Sequence, residues 1–183
     1  MISRSLGWLV RASTLTASLS LLACSGDTEA HPPGPSEANP LDAEESAMVQ
    51  AINDLRGMQG AQMLKDCATL NVSAAKHSDD MRDQGYLDDE APDGSTPRSR
   101  ACAAGYQPAC GDSTPIAELV ASGIYEAEAS LAQWTKTAET TGILIDGALA
   151  VIGVGRADYG ESPVWTVDFG GAYEATCEQA PPQ

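Results

Sequence analysis

The sequence predicts an α+β domain in which helices come first and strands come last. In the first part of the domain, apolar residues recur every three or four positions, the spacing of one helix face. Near the end, the runs GALAVIGVGRA and SPVWTVDFGG are typical of strands, and the turn-forming letters DYGE lie between them. These two runs therefore predict a β-hairpin. The segment from Leu41 to Cys177 has roughly 135 residues, enough for a single core.

The first helix is predicted from its start signal. Asp42, followed three residues later by Glu45, resembles a capping box. Apolar residues at helical spacing follow, and Gly57 is a typical stop, so the helix is expected to end at about Arg56.

The second helix contains the one histidine of the predicted domain. Asp66 is its expected cap and Gly85 its expected end. Its inner face is formed by residues at steps of three or four, namely Leu70, Ala74, His77 and Met81. A histidine in such a stripe is expected to be a packed, hydrogen-bonded residue.

The middle of the domain is predicted with less regular structure. Residues 88–114 are rich in Gly, Pro, Ser and Asp and are expected to form a loop. Pro115 suits a first helical turn, so IAELVASG is interpreted as a short helix that ends at Gly123. EAEASLAQWTKT is predicted as a third amphipathic helix, with Ala127, Leu131 and Trp134 on one face.

The first 40 residues indicate export. Residues 1–23 combine two arginines with an apolar run too short for a comfortable membrane span, which is typical of a secretory signal peptide. Their end, Leu-Leu-Ala followed by Cys24, resembles the bacterial lipobox, whose cysteine is acylated. Residues 24–40 then read as a disordered tether that contains His31, residues 41–178 as the domain, and residues 179–183 as a loose tail. The expected location is the cell envelope, lipid-anchored to a bacterial membrane, with the outer membrane or cell surface favoured.

The charge of the chain restricts its partners. The chain has 10 Lys+Arg against 26 Asp+Glu, a net charge of -16. Removal of residues 1–23 takes away two arginines and no acid, which changes -16 to -18. A surface this acidic repels nucleic acid and anionic lipid headgroups. We therefore expect no nucleic-acid partner, and membrane attachment only through the lipid on Cys24.

Acylation of Cys24 would leave four cysteines, which in an exported protein predicts two disulfides with three possible connectivities. A local bridge between Cys102 and Cys110 is the favoured pairing, with Cys67 and Cys177 joining a helix start to the chain end. A thiolate metal site is disfavoured because the chain has no C-x-x-C pair and its two histidines are scattered.

Several short motifs follow one another in a recognisable order. They comprise Asn53 and Arg56 in AINDLR, Ala74, His77, Ser78, Asp80 and Met81 in AAKHSDDM, Tyr86 followed by Asp93, Gly94, Pro97 and Arg100, the triplet Ala104, Gly105 and Tyr106, Glu118 and Gly123 in AELVASG, Trp134, and the final strands around Gly153 and Trp165. This series resembles the CAP/SCP superfamily of cysteine-rich secretory proteins, insect venom antigen 5 and class-one plant pathogenesis-related proteins, which has many bacterial members. The resemblance extends from about Ala47 to Gly170 and implies a three-layer α-β-α sandwich around an antiparallel sheet.

The departures from this family bear on function. Members often have a cleft with two histidines and one or two glutamates that in some binds a divalent metal. Here the resemblance retains Glu118, whereas the two histidine positions fall near Asp89 and Thr140. His77 corresponds to a helix histidine outside the cleft set. We accordingly expect no cofactor and no transition-metal site, with Glu118 in a structural role, hydrogen-bonded to the loop around Tyr106 or to the Trp134 segment.

Three functions stay open at this point. The first is a surface-tethered, non-catalytic binding module for an unknown lipid, glycan or protein. The second is a hydrolase that uses Glu118 and Asp89 as an acid–base pair. The third is a module in which carboxylates of the acidic loop bind a divalent cation such as Ca²⁺ weakly. A Ser-His-Asp triad is disfavoured because one histidine lies in the tether and no G-x-S-x-G motif is present.

Overall fold

A computed structural model describes residues 40–158 and 162–177 of the chain. The predicted signal peptide, Cys24, the body of the tether and the tail lie outside the described residues. Within them, no helix is long and apolar enough to cross a membrane. The elements in chain order are α1 (Ala43–Met58), β1 (Lys65–Asp66), α2 (Ala68–Gln84), α3 (Pro97–Ala103), a 3₁₀ turn (Gln107–Cys110), β2 (Ile116–Ser122), α4 (Ala127–Trp134), α5 (Ala138–Leu144), β3 (Val151–Ala157) and β4 (Val164–Gly170).

The four strands form one sheet in the order β1-β3-β4-β2. β4 pairs antiparallel with β3 and with β2, so the predicted C-terminal hairpin is confirmed. Most of its predicted turn, residues 159–161, lies outside the described residues. The sheet is antiparallel, as the resemblance implied, except at one edge, where the two residues of β1 run parallel to the start of β3. A pairing this short leaves no periodic signal in the sequence.

One face of the sheet carries the hydrophobic core. Trp165, Val167 and Phe169 of β4 are fully buried there and pack with apolar residues of α1 and α4. The family-like Asn53 and Arg56 stabilise this side by satisfying backbone groups. Asn53 exchanges hydrogen bonds of 2.7 and 3.0 Å with the backbone of Leu64, and Arg56 donates to carbonyls of the segments around residues 62 and 144–149.

The other face of the sheet lies beneath α2. A Cβ added at Gly153 would come within 2.3 Å of the Leu70 backbone, and one at Gly155 within 2.1 Å of the Ala75 nitrogen. The two glycines therefore let the helix backbone lie directly on β3. The helices α1 and α4, the sheet, and α2 with α3 form the three layers of an α-β-α sandwich, as the resemblance implied.

Several predicted element boundaries needed correction. The helix α1 continues to Met58, with Gln59 at its end. Asp66 is not the cap of α2, since it belongs to β1 and its carboxylate accepts from the Asn71 amide at 2.9 Å. The predicted loop 88–114 contains α3 and the 3₁₀ turn, and the segment after Trp134 contains α5.

A further correction concerns IAELVASG, which forms the strand β2 and not a helix. Its alanine, glutamate and leucine residues have good helix propensity, so local sequence favours the wrong structure. All seven residues pair in register with β4, from Ile116 opposite Gly170 to Ser122 opposite Val164. Tertiary pairing thus outweighs local propensity here.

Candidate functional site

Glu118 is the centre of a buried charged cluster beneath α2. It lies in the middle of β2, and its side chain is 0% exposed. One guanidinium nitrogen of Arg100, Nη2, is 2.9 Å from each of its two carboxylate oxygens. Burial raises the pKa of Glu118, whereas the adjacent Asp168 carboxyl and the charge of Arg100 lower it. Glu118 is therefore a buried acid whose two oxygens are both held by a cation.

Arg100 reaches Glu118 because α3 begins at a fixed point. Thr96 and Ser99 form a capping box at the start of α3, with Pro97 at the first helical position. The same guanidinium donates to the carbonyls of Ser95 at 2.8 Å and Asp89 at 2.7 Å. Arg100 therefore ties residues 88–96, named here the acidic loop, to β2. The predicted partners of Glu118, the Tyr106 loop and the Trp134 segment, were wrong.

His77 completes the cluster from α2. Its Nε2 lies 2.9 Å from the Asp88 carbonyl and 3.3 Å from a Glu118 oxygen, so this nitrogen carries a proton and donates. Burial, and next the charge of Arg100, lower the pKa of His77, which keeps the imidazole neutral at pH 7. The structure thus brings His77 to Glu118, whereas the sequence indicated only a packed helix residue.

Asp168 lies opposite Glu118 in the β2–β4 register and is 0% exposed. Neither of its carboxyl oxygens has a partner at hydrogen-bond geometry among the described residues, nor does the hydroxyl of Ser73. Both Glu118 and Ser73 are nonetheless near enough to affect its titration. Burial and then the negative charge of Glu118 raise the pKa of Asp168 well above its ordinary value. Sequence reasoning missed this residue, although a charged side chain inside an otherwise apolar strand was a usable signal.

The other two predicted cleft residues differ in their relation to this cluster. Asp89 contributes its backbone carbonyl to Arg100, while the residue itself is exposed. Thr140 lies in α5, where its hydroxyl donates to the carbonyl of Trp134. Glu118 and Asp89 are therefore joined through Arg100, and Thr140 belongs to a different set of contacts.

The cysteines pair as the sequence favoured. Cys67 is bonded to Cys177 and Cys102 to Cys110. In the part of the chain that the structure describes, one group of metal-binding side chains converges within 4.8 Å, namely these first two cysteines and Glu174. Because its two sulfurs form a disulfide, this group lacks the thiolates that a zinc ion needs.

Among residues 40–158 and 162–177, two shallow grooves stand out as large enough for a small ligand. One, the α1–α4 groove, has a volume of about 300 Å³ and is lined by Ala51, Asp54, Leu55, Met58, Glu128, Leu131, Ala132 and Thr135. The other has about 320 Å³ and lies between the end of α2 and the β2–β4 edge. Both are at the small end of the range of roughly 300–1,000 Å³ for ligand pockets.

The protein is thus a disulfide-bonded α-β-α sandwich. Glu118, the glutamate that the motif series retains, is buried in an ionic cluster. The family description "CAP: Cysteine-rich secretory protein family" matches residues 49–169. The chain therefore belongs to the CAP family. A comparison with curated protein sequences gives no match.

Solved structures support the fold. An outer surface protein of Borrelia burgdorferi is similar with a TM-score of 0.62 and 21% identity, over 73% of this chain and 97% of that one. An extracellular SCP-domain protein of Bacillus anthracis has a TM-score of 0.56 and 22% identity. The match covers 71% of this chain and 44% of the Bacillus anthracis chain, so this chain spans less than half the length of that protein. A venom allergen-like protein of Schistosoma mansoni has a TM-score of 0.54 and 13% identity, over 77% of this chain and 97% of that one.

Proposed function

We propose that the protein is a non-catalytic binding module of the cell envelope, held to a membrane by a lipid on Cys24. One observation carries the non-catalytic part. The acid retained at the family's cleft position, Glu118, is 0% exposed, and both of its oxygens are held by Arg100. A general base must reach the proton that it removes. This contact geometry leaves Glu118 a structural role and disfavours the hydrolase that pairs it with Asp89.

The same contacts disfavour a divalent-cation site. A Ca²⁺ ion takes six to eight oxygen ligands, and a buried carboxylate contributes to such a site by offering free lone pairs. Here the Arg100 cation already lies where a metal would approach Glu118, and it would repel a second cation. The acidic loop presents Asp89 and its neighbours to solvent, where they carry negative charge without converging on one point.

The binding surface that the structure supports best is the α1–α4 groove. Its floor is apolar, and Met58 at its rim is 76% exposed. Asp54 and Glu128 line it as well. An apolar group with a neutral or cationic end fits this lining, since a carboxylate would be repelled. The ligand class expected here is therefore an uncharged or cationic lipid-like molecule.

Native mass spectrometry of the protein purified from its own envelope tests the binding proposal. We expect a non-covalent ligand on the wild-type protein and its loss from Ala132→Trp, because Ala132 is exposed and lines the groove. Ala129→Trp is the matched control, as Ala129 is exposed on the same helix outside the groove lining. No bound mass on the wild type, or equal binding by both variants, would contradict the groove assignment.

Membrane fractionation tests the anchor separately. Cys24→Ser removes the acylated thiol, so the variant should leave the membrane fraction. Retention of this variant in the membrane would show that the lipoprotein proposal is wrong. A hydrolase screen with Glu118→Gln tests the alternative, since an activity of the wild type that this variant loses would restore the enzyme hypothesis.

A further inference from the structure

Two buried carboxyl groups lie side by side beneath α2 with a single cation between them and the solvent. Glu118 and Asp168 are directly opposite in the β2–β4 register, which places their Cβ atoms about 4.5–5.5 Å apart on the same face. Both side chains lack solvent contact. Two negative charges at this separation, with one guanidinium, would leave an uncompensated charge on side chains that have no solvent contact.

Every element around Asp168 limits how this charge can be compensated. From β2 it faces Glu118, from α2 the neutral His77 and the Ser73 hydroxyl, and from α3 the guanidinium of Arg100. On β3 its register partner is Gly153, which offers no side chain and lies against the α2 backbone. The one cation, Arg100, is bonded to Glu118 and to two carbonyls of the acidic loop.

The two carboxyl oxygens of Asp168, which have no hydrogen-bond partner among the described residues, indicate that this side chain binds a proton. A buried carboxylate normally accepts several hydrogen bonds, because losing its hydration without replacement is very costly. A carboxylic acid, in contrast, is a donor and can bond to the adjacent carboxylate. A proton on Asp168 would satisfy it against Glu118 and leave one negative charge, which Arg100 neutralises.

We propose that Asp168 and Glu118 form a buried proton site, and that the proton on Asp168 keeps the Arg100-bound acidic loop closed over Glu118. When this proton leaves, the two carboxylates repel each other and share one guanidinium. The least costly relief is movement of Glu118 and Arg100 towards water, which breaks the carbonyl contacts to the acidic loop. The pair is therefore a pH-sensitive latch that holds the loop while the proton is bound and releases it when the proton leaves as pH rises.

The sign of the linkage is opposite to that of an ordinary ion-paired acid. Because the folded state binds the proton more tightly than the unfolded state, stability is lost as pH rises from the ordinary aspartate range through the folded-state value. One such proton changes the folding equilibrium constant tenfold per pH unit within this window. His77 acts in the opposite direction on the acid side, since its lowered pKa makes stability fall as pH drops below about 6.5.

The test compares urea unfolding from pH 5 to pH 10 in the wild type, Asp168→Asn and the control Asp112→Asn, which changes an exposed acid outside both the cluster and the groove. Asparagine donates to Glu118 without titrating, so Asp168→Asn should remove the tenfold loss of the folding constant per pH unit. In alkali its free energy of unfolding should exceed that of the wild type, whereas Asp112→Asn should retain the wild-type profile. Equal pH profiles for Asp168→Asn and the wild type would overturn the proposal.

Two further readouts separate the latch from a merely structural aspartate. Infrared spectra of the wild type should show the carbonyl stretch of a protonated carboxyl group at pH 7, and this needs no variant to fold. Hydrogen exchange at residues 88–96, corrected for the intrinsic rate, should accelerate in alkali in the wild type and not in Asp168→Asn. Absence of the carbonyl band at pH 7, or exchange that responds equally in both proteins, would contradict the proposal.

Discussion

Replacing Arg100 by methionine should destabilise the protein strongly at neutral pH and only moderately in acid. The substitution removes the one cation that touches Glu118, which is fully buried, and two hydrogen bonds to acidic-loop carbonyls. Breaking a buried ion pair by removing one partner costs about 3–5 kcal/mol. The free-energy cost of leaving Glu118 charged without Arg100 has an upper limit, because Glu118 can become neutral by binding a proton.

That limit can be worked out. The ordinary pKa of the group is 4.5, and holding it protonated at pH 7 costs about 1.4 kcal/mol for each of the 2.5 intervening pH units, or about 3.4 kcal/mol. At pH 4.5 this charge part nearly vanishes, and about 1–2 kcal/mol remains for the lost hydrogen bonds to the loop. We therefore expect a loss of about 4.4–5.4 kcal/mol at pH 7 and about 1–2 kcal/mol at pH 4.5.

Urea unfolding at the two pH values measures this difference. The matched control is Arg98→Met, since Arg98 lies on the same helix and donates to the carbonyls of Gly111 and Thr114 without an acidic partner. Its loss should be the same at both pH values. In Arg100→Met with Glu118→Gln, the pH-dependent part should disappear. If Arg100→Met lost equal stability at pH 7 and pH 4.5, the buried-charge reasoning would be refuted.

Three other predictions rest on separate features. Gly153→Ala should lower the free energy of unfolding by about 3 kcal/mol or prevent folding, because its Cβ meets the Leu70 backbone, whereas Gly142→Ala in α5 meets nothing within 4 Å and should be neutral or stabilising by thermal denaturation. Alanine substitution of each disulfide pair should cost about 4.8 kcal/mol for the bridge spanning 110 residues and about 2.5 kcal/mol for the one spanning 8, and equal losses would contradict the loop-entropy reasoning. Calorimetric titration of the metal-free protein with Zn²⁺ should show no stoichiometric site tighter than micromolar, and such a site, abolished by Glu118→Gln, would restore the metal-binding alternative.

The features that the sequence predicted correctly are those with local signals. The capping box of α1, the glycine end of α2 and the C-terminal hairpin each depend on residues close together in the chain. The order of the motifs then predicted the three-layer sandwich of the CAP family. The strand β2 was missed because its letters favour a helix and only its pairing with β4 decides otherwise. The strand β1 was missed because two residues cannot show a period.

Only the part of the site that has a local sequence motif was predicted. Glu118 was found through its motif, but its partners come from α2, α3 and β4, which meet only when the sheet forms. Arg100 was noted as a motif residue without its role as the cation of the cluster. Asp168 lies within the final strand motif, at a position to which the sequence assigned no role. Its chemistry follows from the register of two strands, which sequence spacing alone does not fix.

The glycines of β3 explain why the charged cluster and the proposed binding groove lie on opposite sides of the sheet. Gly153 and Gly155 bring the backbone of α2 directly onto β3, so no ligand fits between the helix and the strand at these two positions. On the other side, residues of α1 and α4 line the proposed binding groove. Because the two sides are separate, substitutions in the cluster should change stability and its pH dependence, and substitutions in the groove should change binding. A variant such as Ala132→Trp that loses its ligand while keeping the wild-type unfolding profile would support this division directly.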